Sequence, residues 1–227
     1  DGLIHISQDG GSSWRNVTPG DLSEWSTITT IEPSHHDAAT AFLTATRYKL
    51  DDYRPLIYKT EDHGGSWQRI TEGIPEKDIS RVIREDPDRR GILYAGTESG
   101  VFVSFDQGIL WHSLRLNLPV VPVHDLVVKD QDLVAATHGR SFWILDDLTP
   151  LHQFTDEALT ARAHLFKPRA AIRQVLQLTR GGVSDDPMRP PAAGKSYESR
   201  YGMPVTYKEK KNARGETVRV FLDAGTN

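Results

Sequence analysis

TEDHGGSW at residues 60–67 has two gapless companions in the chain, SQDGGSSW at 7–14 and SFDQGILW at 104–111. All three obey Ser/Thr-x-Asp-x-Gly-x-x-Trp. The first two also keep a Ser before the Trp (Ser13 and Ser66), where the third has Leu110. The residue types suit a closed turn. Asp9, Asp62 and Asp106 can accept hydrogen bonds from turn amides and from the nearby hydroxyl. Gly11, Gly64 and Gly108 permit positive φ, and Trp14, Trp67 and Trp111 pack beneath. These are tasks of folding, so the octamer residues are read as structural and none as catalytic.

The octamers recur at roughly 45–55 residues, a spacing that holds four short strands with their turns. In the clearest repeat, Ile79 to Arg84 alternates as a half-buried strand and 86–91 (DPDRRG) is turn chemistry. Further strands follow at 92–97, 100–105 and 111–116. The second repeat predicts strands at 26–32, 39–47, 56–60 and 67–70, with an insertion at 49–55. A last unit offers 123–129, 132–137 and 141–145, with Asp146-Asp147 where an octamer would lie. The first unit supplies only 3–7 and 14–17. No stretch keeps a helical apolar period for three turns. The expected fold is therefore all-β: about three and a half β-propeller blades over 1–150, an incomplete ring. On this reading the inner strands of the first blade precede residue 1, and the chain is an internal piece of a larger protein. Remaining blades, from the same protein or another chain, are needed to close the ring.

The octamers resemble Asp-boxes, or BNR repeats, found in sialidases, xyloglucan-cleaving glycosidases, sortilin-type receptor domains and a photosystem-assembly propeller. The match is good in the first two copies and looser at Ser104, Asp106, Gly108 and Trp111. The stretch THGRSFWILDDLTPL at 137–151 is similar to bacterial sortilin-like propeller proteins commonly labelled glycosyl hydrolases. The resemblance covers roughly residues 1–170 and implies an extracellular or periplasmic setting.

Composition bounds the rest. Net charge is −4, which argues against broad nucleic-acid binding, and apolar runs are too short for a membrane span. Cysteine is absent, which removes disulfides, thiolate metal sites and Cys nucleophiles. All five tryptophans precede residue 150, while Lys and Arg outnumber Asp and Glu only after it. Residues 151–200 read as a connector and a Pro/Gly-rich linker, with a helix conceivable at 157–164 and limited by Pro168. Residues 201–227 read as a β-hairpin, which the resemblance makes the start of a β-sandwich.

In propellers, ligands meet the face formed by the loops joining second to third strands and one blade to the next. That rule brings together Arg47, Tyr48, Asp51, Asp52, Tyr53, Arg54, Glu98, His138 and Arg140 as ligand-binding candidates. Tyrosines can stack on sugar rings, and carboxylates can grip hydroxyls or serve acid/base chemistry. The interblade loops 18–25, 71–78 and 117–122 join them. A glycosidase would need two carboxyl groups at a defined separation. Asp51, Asp52, Glu76, Asp78 and Glu98 are available, yet nothing in the sequence pairs any two, so no catalytic residue is assigned. His35-His36-Asp37 reads as a turn, and His124-Asp125 as strand neighbours facing opposite sides. No cofactor and no metal are expected. The expected partner is a peptide, protein or glycan held on the loop face. A glycoside hydrolase and a protein-assembly scaffold are the alternatives.

Overall fold

The computed structural model describes residues 2–155, 158 and 161–169, together with the backbones of 197–198, 204–211 and 217–222. The chain divides into two compact units, Asp1–Ala171 and Ile172–Asn227. In the second, β14 (Tyr197–Glu198), β15 (Pro204–Lys211) and β16 (Thr217–Leu222) form one antiparallel sheet, with β15 and β16 in register from Thr206↔Leu222 to Lys211↔Thr217. Part of the helix conceived at 157–164 and the linker at 170–196 lie outside the described residues.

The first unit is a row of antiparallel meanders that succeed one another in chain order, the blades of a β-propeller. Blade 1 has two strands, β1 (His5–Ile6) and β2 (Arg15–Asn16). Blade 2 runs β3 (Thr27–Pro33), β4 (Ala41–Arg47), β5 (Asp52–Thr60) and β6 (Gln68–Arg69). Blade 3 runs β7 (Ser80–Glu85), β8 (Leu93–Thr97), β9 (Val101–Ser104) and β10 (Trp111–Ser113). Blade 4 has β11 (Val123–Lys129), β12 (Asp132–Thr137) and β13 (Phe142–Leu145). The segment expected as an insertion at 49–55 is largely strand: Tyr48–Leu50 make one 3-10 turn, Asp51 takes a left-handed φ of 60°, and β5 starts at Asp52.

Strand alternation assigns the core to the spaces between blades. On β4, Leu43 and Ala45 pack back onto Ile4 and Val17 of blade 1, while Phe42 packs forward onto Ile83, Leu93 and Trp111 of blade 3. A third cluster joins Val82, Tyr94 and Val101 of blade 3 to Val123, Leu126 and Leu133 of blade 4. A central strand covered on both faces reads as continuously apolar, and β8 and β9 are buried throughout.

Polar ties cross the same gaps. Arg84, on the innermost strand of blade 3, donates to Glu32 Oε2 of blade 2 at 3.1 Å. It also donates to Asp125 Oδ1 and the Leu126 carbonyl of blade 4, both at 2.8 Å. Buried Glu85 accepts from Ser34 Oγ at 2.6 Å and the His35 amide at 2.7 Å. His36 Nε2 lies 2.8 Å from the Asp86 carbonyl. The His35-His36-Asp37 turn is thus an interblade fastening.

Each octamer closes on its own aspartate. In the second, Asp62 Oδ1 takes Thr60 Oγ1 and the Ser66 amide, both at 2.8 Å, Oδ2 takes Ser66 Oγ at 2.8 Å, and Thr60 Oγ1 accepts the Gly64 amide at 2.9 Å. Ser7, Asp9, Gly11 and Ser13 repeat the pattern. The third copy keeps the Ser104 hydroxyl and the Leu110 amide on Asp106 and the Gly108 amide on Ser104 Oγ, but has no hydroxyl at 110. The octamer glycines sit at φ between 77° and 91°, and a Cβ on Gly64 would come within 2.7 Å of Val17. The expectation that every Trp packs beneath its turn needs correction. Trp111 is 2% exposed and Trp67 half-buried, but Trp14 is 65% exposed, because no strand lies beyond it among the described residues.

A four-residue helix, α1 (Thr149–His152), follows blade 4. Asp147 Oδ1, one residue before the N-cap Leu148, accepts from the Thr149 amide and hydroxyl. His152 Nε2 sits 2.7 Å from Oδ2 of fully buried Asp86, and Arg89 donates to the carbonyls of Leu151 and Phe154. Asp86, Asp88 and His152 bring possible metal-ligand atoms within 4.8 Å of one another. The Asp86 carboxylate, however, already takes the Tyr94 hydroxyl and the amides of Asp88 and Arg89. The cluster is a latch that holds the connector to blade 3.

Two outcomes are expected. Hydrogen bonds from the Ser66 amide and hydroxyl pull the Asp62 carboxyl down to about 2, so its contribution is present above the unfolded value near 3.8 and is lost as pH falls toward 2. Asp62→Asn should therefore lower Tm at pH 6, and the gap from the parent protein should close below pH 4. Arg84→Met should cost about 1–3 kcal/mol in urea unfolding, because it strands Glu32 and the Leu126 carbonyl. A change near zero would remove Arg84 from the ties between blades.

Candidate functional site

The innermost strands of three successive blades share an irregularity. β3, β7 and β11 each carry a bulge near their first residues, at Thr29, Arg81 and His124, where the register to the next strand slips. A bulge frees one residue from the ladder and re-aims its side chain. The freed Arg81 carbonyl is taken up by blade 2, with Thr44 Oγ1 at 3.3 Å and Thr30 Oγ1 at 3.4 Å. Ser80 adds a second graft, accepting the Leu56 amide at 3.0 Å within reach of the Ala45 carbonyl. Both contacts fix the height at which the Arg81 side chain emerges.

Arg81 then organises the rim. Its Nε donates to Glu98 Oε1 at 2.6 Å, with Nη2 on the same oxygen. Its guanidinium lies 4.9 Å from the centre of the Tyr48 ring, a cation–π contact. On blade 4, the rings of His124 and His138 stack 5.1 Å apart at an interplanar angle of 8°. The His138 amide is fastened to the Pro122 carbonyl at 2.9 Å. Burial, and then the Arg81 charge, push the pKa of His124 down, favouring neutral imidazole. The structure therefore brings Tyr48, Glu98 and His138, from three blades, onto one row.

The other candidates behave differently. Asp52 is gripped bidentately by Arg54, at 2.9 and 2.8 Å, with Arg47 at 3.6 Å, and its carboxyl falls to about 2 chiefly through the Arg54 hydrogen bond. Asp51 stands beside Tyr53 and raises that phenol's pKa. Arg140 is exposed, and its carbonyl accepts the Trp143 indole at 2.9 Å. No described contact joins Asp51, Tyr53, Arg54 or Arg140 to the row. Asp78 is buried and accepts from Thr97 Oγ1, the Ser99 hydroxyl and the Ser99 amide, which pins the loop after β8. Asp52, Asp78 and Glu98 are each engaged by a neighbouring cation or hydroxyl.

Beside Tyr48 opens a cleft of about 200 Å³ between Trp25, Lys49 and Leu50, lined also by Thr46 and Arg47. Trp25 is 73% exposed and holds a left-handed φ of 65°. That backbone is strained for a bulky residue and persists only where its surroundings impose it. Thr46 is buried, and β4 bulges at it. Among the described residues, Thr46 Oγ1 and Arg47 Nε are the two buried side-chain polar atoms without a hydrogen-bond partner. They are adjacent, and both residues line this cleft.

Sequence reasoning missed Arg81, His124, Trp25 and Thr46. The sequence puts His124 and Asp125 on opposite sides of one strand, and no described contact joins them: Asp125 accepts from Arg84, while His124, at the bulge, stacks on His138. Trp25 lies in a loop that had been placed on this face, with a large exposed aromatic as its signal.

No family model matches the chain, and no curated protein matches it. Among solved structures, it is similar to YCF48 from Cyanidioschyzon merolae, at 17% identity and a TM-score of 0.48 over 63% of this chain and 46% of that one. A second YCF48 structure, described as bound to D1 peptide, aligns at 16% identity and a TM-score of 0.47, covering 63% of this chain and 44% of that one. A GH74 enzyme of Niastella koreensis aligns at 15% identity and a TM-score of 0.42 over 53% of this chain and 21% of that one. The chain spans less than half the length of each.

Removing the Arg81 charge should raise the pH at which His124 titrates, since a neighbouring cation opposes a second positive charge. An Arg81→Met protein followed by imidazole NMR should show that upward move. An unchanged His124 titration would separate the two residues electrostatically.

Proposed function

We propose that this chain is a binding module whose loop rim holds a peptide or glycan segment against Trp25 and Tyr48, with Arg81, Glu98 and the His124–His138 stack as the supporting wall. The observation that carries this reading is the cleft of about 200 Å³ that opens beside two exposed aromatic side chains, Trp25 at 73% and Tyr48 at 38%. Two residues that line it, Thr46 and Arg47, also carry the buried side-chain polar atoms without a partner among the described residues. Aromatic faces accept the flat surface of a sugar or an apolar side chain. Catalysis is the weaker reading: a glycosidase needs two carboxyl groups at a defined separation, and of the five candidates Asp52, Asp78 and Glu98 are engaged by neighbours, while no described contact joins Asp51 or Glu76 to the row.

Peptide and glycan arrays probed with the 227-residue protein should show binding that Trp25→Ala and Tyr48→Ala each abolish. Thr46→Val should stabilise the free protein by about 1 kcal/mol, because it deletes an unsatisfied hydroxyl at constant shape, and should weaken array binding. A drop in Tm on Thr46→Val would mean that the hydroxyl serves the fold. Hydrolysis of a chromogenic glycoside that is lost in Glu98→Gln would replace binding by catalysis.

A further inference from the structure

A histidine that serves the fold gives its ring to an acceptor. His36 Nε2 lies 2.8 Å from the Asp86 carbonyl, and His152 Nε2 lies 2.7 Å from the Asp86 carboxylate. His124 and His138 do neither. Both are exposed, and among the described residues no protein hydrogen bond reaches a nitrogen of either ring. Each ring is held by the other: they are parallel within 8° and 5.1 Å apart. The bulge sets His124 on β11, and the bond from the His138 amide to the Pro122 carbonyl at 2.9 Å sets the second ring against it. All their ring nitrogens are therefore open to solvent or to a ligand, at the blade 4 end of the row that starts at Tyr48.

The charges around the pair decide what a proton does there. Arg81 faces it from β7 and Glu98 from the loop after β8, while Asp125, on the same strand as His124, is taken by Arg84 at 2.8 Å. Arg81 and Glu98 answer one another, with Nε and Nη2 both on Glu98 Oε1. The row thus carries no net charge while both imidazoles are neutral. Partial burial, then Arg81, then His138 push His124 below its ordinary 6.5, and Glu98 pulls the other way. A proton taken up on either ring has no free carboxylate to balance it. A second proton would meet the first across 5.1 Å, so the pair changes the row by one positive charge before repulsion opposes the next.

We propose that the His124–His138 stack is a proton switch that admits a carboxylate-bearing sugar to this rim in acid and turns it away at neutral pH. The inference rests on the reading of the rim as a binding site, and it adds the regulation of that site and the charge of what it takes. At neutral pH an arriving carboxylate finds Arg81 already held by Glu98 and has to displace it. In acid the protonated pair offers N–H donors and an unbalanced positive charge, and charge-assisted hydrogen bonds are the strong ones. A carboxyl group stays ionised above about pH 4, so both charges exist together between about pH 4 and the imidazole range. Tyr48 and Trp25, 38% and 73% exposed, present flat faces suited to a pyranose ring, which makes a uronate the carrier of the carboxylate. By reciprocity the bound carboxylate raises the titration of the pair, and binding takes up a proton.

Calorimetry of the 227-residue protein with trigalacturonate at about pH 7.5 and about pH 5.5 tests this, with maltotriose as the neutral control. Trigalacturonate should bind about tenfold tighter at the lower pH with uptake of about one proton, and maltotriose should show no such gain. The gain should vanish in His124→Gln and in His138→Gln. Each variant is read as the ratio of its two affinities, so a disturbed rim that lowers both does not count. Equal trigalacturonate affinity at the two pH values overturns the switch, and the binding site survives that result where maltotriose or an array ligand still needs Trp25 and Tyr48. No binding of any array ligand or of either sugar at either pH removes the reading of the rim and the switch with it. Other histidines of the chain titrate as well, and a gain that persists in the double variant belongs to them and overturns the assignment. Acid-strengthened binding of pentaglutamate without that of trigalacturonate gives the rim to acidic peptides and overturns the sugar.

Discussion

A blade of four short strands has two apolar faces and can cover neither by itself. This constraint governs the first unit. Each hydrophobic cluster straddles a gap between successive blades, so a blade is stable only as a neighbour of other blades. The octamer turn serves the same constraint from the rim. Its aspartate rigidifies the turn by local hydrogen bonds, and the turn then presents Gly and Trp to the strand end of the blade before. The carboxylate matters less for its own few contacts than for holding that surface in shape.

Function enters where the regular pattern is broken. The bulges at Thr29, Arg81 and His124 recur at matching places in three blades, which makes them a property of the repeat. What each blade does with the freed residue differs. Thr29 stays with the fold, its hydroxyl 2.8 Å from that of Thr44. Arg81 gathers Glu98 and Tyr48, and His124 meets His138. A shared backbone device thus carries three different side chains to three different sets of contacts.

The blades were legible because their signals are local. Ser/Thr-x-Asp-x-Gly-x-x-Trp closes within eight residues, and its hydroxyl, aspartate and glycine answer to bonds inside that window, so three copies announce three turns. The strands of blades 2 and 3 followed from alternation and turn residues. The site was less legible because its residues depend on register. Arg81 reads as the polar position of an alternating strand, and nothing beside it in the chain says that the pairing slips there. Thr46 reads as an ordinary strand threonine, and its missing partner is visible only once β5 is placed across from it. Tyr48, Glu98 and His138 were reachable because strand-joining loops can be sorted by rim without coordinates. The same sorting could not tell them from Tyr53 and Arg140, which share the rim and not the row.

The two kinds of polar group on the rim also explain one another. Arg81, Glu98, Asp52 and Asp78 are held by neighbours, so their geometry is set within the free protein. Thr46 Oγ1 and Arg47 Nε stand apart as buried atoms without a partner among the described residues, although Arg47 Nη1 lies 3.6 Å from Asp52. In the octamers at the blade edge the bonds stay local: the Asp62 carboxylate takes Thr60 Oγ1 and the Ser66 amide and hydroxyl, and the Gly64 amide goes to Thr60 Oγ1, so these groups are spent on the turn itself.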